Sequence, residues 1–406
     1  MRRTLIITLI LFTLYISAGL ETMIGGRKSI TDAFYVTTVG LDKAKDKIKL
    51  TIVTQSLGPE EETEYTKKQD KYFVTEGKTI FEANRFFTTF MDNKIFWGHV
   101  DYILISESLV KNGLDTYLDF FMRDHETRLI AELFIVKEYS AEESIKLVID
   151  SGEDITNTLH VLKEDVGKLS VSGCVPVYEA FSTITDENCG SNVPLLQIIE
   201  DEKEETDSTD AKEASVAEDN PKSKRLVLDG YALLDPESSE LVGFLTGNDA
   251  RGFNFAINKI KSGVIVVEDP EGEDVTLEII KSKTKIIPKF NGDKLEVTFK
   301  TKLSTNIAEI DGSTNLFTDE NIELLIKQQN EMVKKEVKNA IDFALKHNID
   351  IFPISKVVER KFPVKWDKIK DDWRKIFTEI TFNVEVDSQI DRTYSIKEPV
   401  LSREDG

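Results

Sequence analysis

The side chains best suited to chemistry in this sequence are scattered. The four histidines, His99, His125, His160 and His347, stand singly along 406 residues. His99 and Asp101 lie at the start of a strand-like run, where residues i and i+2 share a face. That is half of a metal site, or an ordinary hydrogen-bonded pair. Arg123-Asp124-His125-Glu126-Thr127-Arg128 concentrates charge behind a helical stretch, as a helix end rich in ion pairs does. Arg251 carries a planar guanidinium that can grip a partner's carboxylate with two bonds, or close an internal salt bridge equally well. Carboxylates are so frequent that pairs occur throughout, and no pair stands out as acid and base. No G-x-S-x-G elbow, Walker loop, dinucleotide fingerprint or H-E-x-x-H helix is present. No catalytic, metal-binding or cofactor-binding set is therefore expected.

The bulk composition agrees with a folded body. Apolar residues make up 40% and charged residues 31% of the chain, which fits a globular protein of two or three domains. The net charge of −21 speaks against a nucleic-acid partner and predicts that the body is kept off an anionic bilayer. The two cysteines, Cys174 and Cys189, are too few for a disulfide scaffold. They either close one short loop or are two buried thiols.

The N-terminus carries an address. Arg2 and Arg3 precede an apolar run from Leu5 to Leu20 that no charge interrupts before Glu21. Basic residues ahead of such a run keep the N-terminus inside and send the remainder across. The run is a little shorter than the ~20 residues that span a bilayer comfortably. It lies between a signal peptide and a signal anchor, and Ser17-Ala18-Gly19 offers small residues for cleavage. Residues 1–24 are expected to export or anchor an extracytoplasmic body.

The elements that follow mix strands and helices without a regular βαβ period, so the fold class expected is α+β. Ala33–Leu41 and the alternating Ile48, Leu50, Ile52 read as a hairpin across a charged turn. Thr79–Phe90 reads as a helix with Ile80, Ala83, Phe86, Phe87 and Phe90 on one face. Val100–Ile105 and Leu133–Val136 read as strands, with a helix over Gly113–Met122 between them. Ser140 with Glu143 is a capping box. Residues 25–199 are taken as an N-terminal domain. Residues 200–225, with almost no apolar side chains, read as an acidic linker or loop. Residues 226–315 read as a sheet-rich middle domain, with strands at 226–234, 264–267, 275–280, 285–290 and 294–303. Residues 316–406 read as a C-terminal domain with one long helix, striped from Ile322 to Leu345, and a closing strand at Ile380–Val386.

Several stretches in this order resemble the Ger(x)C spore-germination family. They are Thr38-Val39-Gly40-Leu41-Asp42-Lys43, Glu76-Gly77-Lys78-Thr79, Gly98-His99-Val100-Asp101 and Leu118 through Arg128. The second half adds Leu241 through Phe253, with Gly243, Gly247, Arg251 and Gly252, then Asp350-Ile351-Phe352, Trp366, Trp373, Phe377 and Asp391-Arg392-Thr393. The resemblance implies three α+β domains in a row. It also implies a non-catalytic C subunit of a nutrient-germinant receptor, beside a membrane-spanning A subunit and a transporter-like B subunit in the spore inner membrane. Gly77, His99, Arg123, Arg128, Gly243, Arg251, Gly252, Trp366 and Trp373 are the family-motif positions expected to serve partner contacts or packing. The family's lipid-bearing cysteine is missing, since Leu20 and Ile24 stand where it is expected. The apolar run itself is then the expected tether. The alternative is an exported ligand-binding protein or enzyme acting on spore or wall components, motivated by His99, Asp101 and the Arg123–Arg128 segment.

Overall fold

The computed structural model of the chain describes residues 33–56, 70–91, 94–200, 224–312 and 314–393. The N-terminal segment through Leu20 and Ile24, and nearly all of the acidic stretch, lie outside the described residues.

Strands β1 (Ala33–Ala44) and β2 (Lys47–Ser56) form the expected hairpin. β3 (Lys71–Gly77) adds antiparallel to β2, and helix α1 (Ile80–Phe87) returns across the sheet. Its apolar stripe is narrower than expected. Ile80, Ala83 and Phe87 are buried, while Phe86 and Phe90 are exposed, because Phe86 lies off the stripe and Phe90 falls beyond the helix end. β4 (Lys94–Phe96) and β5 (Tyr102–Ser106) both run parallel to β1. Short α2 (Glu107–Val110) and α3 (Asp115–Arg123) lead to β6 (Glu132–Val136), which is parallel to β5. Helices α4 (Ala141–Asp150), α5 (Ile155–Leu169) and α6 (Val177–Ile184) follow, and β7 (Ser191–Glu200) joins β6 in parallel. The Ser140–Glu143 capping box opens α4 as expected.

β8 (Lys224–Leu234) and β9 (Leu241–Leu245) continue this same sheet antiparallel. Among the described residues it has nine strands in the order β3-β2-β1-β5-β6-β7-β8-β9, with β4 beside β1. The domain division expected at residue 226 therefore falls inside a sheet. Leu226 pairs with Ile198 across the acidic stretch, and the break in composition is a long excursion between two paired neighbours. α1, α3 and α6 bury their stripes on one face of the sheet, and α4 and α5 on the other.

Helix α7 (Gly247–Ala256) leads to the second sheet: β10 (Val264–Glu268), β11 (Asp274–Asn291), β12 (Lys294–Ile310) and, at the end of the chain, β13. β11 is one strand, where the sequence reads as two. The polar residues Lys281–Thr284 keep pairing with β12 past a bulge, because one of their faces is solvent, not core. Gly292-Asp293 is the turn to β12, with Gly292 at a φ of 64°. Helix α8 (Asp319–His347) spans 29 residues and ends on Asn348 in the left-handed region. α9 (Ile354–Lys361), α10 (Pro363–Ile369) and α11 (Trp373–Thr378) pack beyond it. β13 (Thr381–Thr393) closes the sheet at its edge, parallel to β12. The class is the expected α+β, built as two mixed sheets with helices. Cys174 and Cys189 are both free thiols.

Candidate functional site

A cleft with aromatic walls lies where the sequence concentrates charge. Gly77 ends β3 so tightly against the first turn of α1 that an added Cβ would meet the Ala83 backbone. Thr79 then caps α1 by accepting from the Glu82 N–H at 3.1 Å. This turn aims α1 across α3 and opens a cleft of 680 Å³ between them. Phe81, Tyr117 and Phe120 give it aromatic walls, with Trp97 buried against Phe120 behind them. Lys78, Arg85 and Arg123 stand on its rim. The Arg85 guanidinium lies over the Phe81 ring at 4.8 Å. Arg123 is occupied by Asp119 of its own helix, with its Nε donating at 2.7 and 2.9 Å to the two carboxylate oxygens. Burial raises the Tyr117 hydroxyl above its ordinary range, with Asp115 adding to it. A surface of this make-up holds an amphipathic group by its apolar side and leaves its polar end to the rim. Arg128 is exposed on the loop beyond.

His99 and Asp101 do not assemble a metal site. The His99 imidazole packs edge-on against Tyr35 at 5.1 Å and lies 5.8 Å from Phe96. Among the described residues no group of three histidine, cysteine or acidic side chains is placed to hold a metal ion.

The other motif positions are brought together inside the fold. Arg251 on α7 is buried, with its Nε and Nη2 donating to the two Glu336 oxygens of α8 at 2.9 and 2.5 Å. Its Nη1 donates to the Val264 carbonyl at 2.5 Å. Burial lifts the Glu336 carboxyl above its usual range, and the guanidinium opposes that rise. One residue on, Gly252 lets the two helices touch, since any Cβ there would collide with the Glu336 carbonyl. Gly243 packs against the Phe343 ring of α8, which would lie 3.0 Å from an added Cβ. Trp366 and Trp373, both buried, meet edge-to-face at 5.1 Å. The carboxylate of Asp42 accepts from the Ala141 and Glu142 N–H groups at 2.7 and 2.9 Å, tying β1 to the start of α4.

Two buried polar positions give no signal in the sequence. Asn254 donates to the Ser170 and Ser172 carbonyls at 2.8 and 3.2 Å and accepts from the Tyr231 hydroxyl at 2.8 Å. Glu336 is one acid among many on a long helix until its partner is known. Asp350, quoted above only as part of a motif, accepts three backbone N–H groups, from Phe352, Ile354 and Ser355, and so caps α9.

Comparison with known proteins divides the chain at the acidic stretch. The family described as "Spore germination protein N-terminal domain" matches residues 26–200. The family described as "Spore germination B3/GerAC like, C-terminal" matches residues 229–394. The chain is similar to spore germination protein KC of Bacillus subtilis (strain 168), with 23% identity over 92% of this chain and 93% of that one. It is likewise similar to spore germination protein B3 of the same organism, with 24% identity over 89% and 92%. Its fold resembles the crystal structure of the GerBC protein, with a TM-score of 0.55 and 20% identity over 87% of this chain and 96% of that one.

Proposed function

Because the chain belongs to the GerAC-like family of spore germination C subunits, we propose that it serves as the membrane-associated, outward-facing subunit of a nutrient-germinant receptor. Its role is assembly or signalling, not catalysis. The observation that carries this reading is the ordered match of both family regions, which together span residues 26–200 and 229–394. The use of the motif residues supports it. Arg251, Gly252, Asp42 and Asp350 spend their chemistry on holding elements together, which is what a subunit that presents surfaces requires.

The tether is the apolar run Leu5–Leu20 with Arg2 and Arg3 inside, since no cysteine stands at Leu20 or Ile24 to take a lipid in its place. Among the described residues no helix is long and apolar enough to cross a membrane. The expected neighbours are the A and B membrane subunits of the receptor, in the spore inner membrane.

The test is deletion in a host stripped of other C subunits. Nutrient-triggered germination should be lost, while germination by routes that bypass the receptor continues. A normal nutrient response in that strain would reject the reading. The aromatic cleft favours ligand binding as a second reading. A ligand-induced rise in melting temperature that disappears in Phe81→Ala/Tyr117→Ala would support it.

A further inference from the structure

The solvent face of the second sheet is charged in a way that the whole chain is not. On β11, Lys281, Lys283, Lys285 and Lys289 occupy alternate positions and are all exposed. On β12, Lys300 and Lys302 are exposed on the same face. The register sets Lys283 directly opposite Lys302, and Lys285 opposite Lys300. Like charges in directly opposed positions destabilise a sheet. Lys300 meets Glu385 of β13 at 3.2 Å, and the register sets Lys289 opposite Glu296 and Lys302 beside Asp387, so the stretch with no facing carboxylate in the sheet is Lys281, Lys283 and Lys285 of β11. The chain as a whole carries −21, so a stripe of this sign is a local segregation of charge, not a sample of the average surface.

We propose that this lysine face of the β11–β12 hairpin docks on an anionic lipid bilayer. The proposal rests on the reading that the chain works at a membrane, and it adds a second point of attachment to the N-terminal one. Three observations favour a bilayer over an acidic protein. The cations are all lysines, which are depleted at protein–protein interfaces, whereas arginine and aromatic residues are enriched there. No aromatic side chain interrupts the stripe to act as an anchor, and Ile287 is the apolar residue between Lys285 and Lys289. A row of alternate positions on one strand presents its charges in line, about 6.6 Å apart, to a planar surface. The acidic remainder does not forbid this contact, because its field is screened beyond roughly 8–10 Å. The expectation drawn from net charge alone, that the body stays off an anionic bilayer, is revised to an oriented approach by this face.

One competing account is structural. Past Glu278, β11 has no strand on its outer side among the described residues, and lysines protect open edges from unwanted pairing. The full-length chain would be mixed with vesicles of phosphatidylcholine alone and of phosphatidylcholine with phosphatidylglycerol. Partition would be measured by sedimentation, and labelling of each lysine by an amine-reactive ester would be mapped by mass spectrometry. Phosphatidylglycerol should raise partition in a salt-sensitive way and shield the six lysines. Each lysine near an anionic surface contributes about fivefold, so Lys283→Gln/Lys285→Gln/Lys302→Gln, which also removes the opposed like charges, should reduce the anionic increment by about a hundredfold with its circular dichroism unchanged. The Glu triple, which reverses the three charges, should reduce it further.

Partition onto both vesicles with equal labelling would keep the N-terminal tether and overturn the lysine face, leaving edge protection as its role. Binding that requires phosphatidylglycerol, with none to phosphatidylcholine, would keep the lysine face and reject the tether. Shielding by soluble polyglutamate without shielding on vesicles would overturn the bilayer in favour of an acidic protein.

Discussion

Arg251 and Glu336 are paired with both side chains buried. Removing one leaves the other buried and unpaired, at a cost of about 3–5 kcal/mol. Arg251→Met should therefore lower stability by that amount in urea denaturation, while Arg251→Met/Glu336→Leu should recover most of the loss. The sequence shows Arg251 as a residue seeking a carboxylate, but the partner lies on a helix 85 positions away, and only the crossing of α7 on α8 selects Glu336. Gly252 is legible as a close approach in kind, not in partner. Asp350 carries a pH signature. Burial pushes its carboxyl up to about 6 from 3.8, against its three backbone N–H partners. Between about pH 4 and 6 the folded chain holds a proton that the unfolded chain releases, so this contribution to stability falls as pH rises through that window. Denaturation midpoints measured across it should decline in the wild type and change less in Asp350→Asn, whose overall stability is lower because an amide cannot accept all three bonds.

At the scale of elements, what is local in sequence was readable and what depends on a distant surface was not. The Ser140–Glu143 capping box needs only four consecutive residues, and it forms as read. Ser140→Ala should cost about 1 kcal/mol in thermal or urea melts, with α4 fraying from its first turn as seen by amide exchange. The two ends of α8 follow the same logic. Thr318 caps its start, and Asn348 ends it with a φ of 56°. The length of β11 is not legible in the sequence because its middle is polar, and a strand with one solvent face shows no full apolar run to mark it. Phe86 lies inside α1 but off its buried stripe, and Phe90 reads as part of a core face because spacing alone does not reveal that α1 stops at Phe87. Beyond the helix end the 3.6-residue period no longer applies.

For the molecule as a whole, the composition break was legible at residues 200–225, but the topology across it was not. β7 and β8 pair antiparallel from Ser191↔Leu234 to Glu200↔Lys224, so the covalent link between them is not what holds them together. Two co-expressed fragments, 1–211 and 212–406, should co-purify as one complex. Failure to associate would mean that the pairing needs the continuous chain. β8 has a further consequence. Past its bulge at Gly230, where an added Cβ would collide with the Leu245 carbonyl, it points Tyr231 and Leu233 into the core of the second sheet and Ala232 and Leu234 into the core of the first. A single strand thus belongs to two hydrophobic interiors by alternate residues. The two halves therefore share one strand between their interiors, and a substitution that disturbs β8 should disturb both. In evolutionary terms the acidic stretch is a misleading seam. A chimera joined there would inherit a strand fitted to only one of its two cores, whereas exchange past Leu245 would carry the first interior over intact and leave Tyr231, Leu233 and Leu245 foreign to the second.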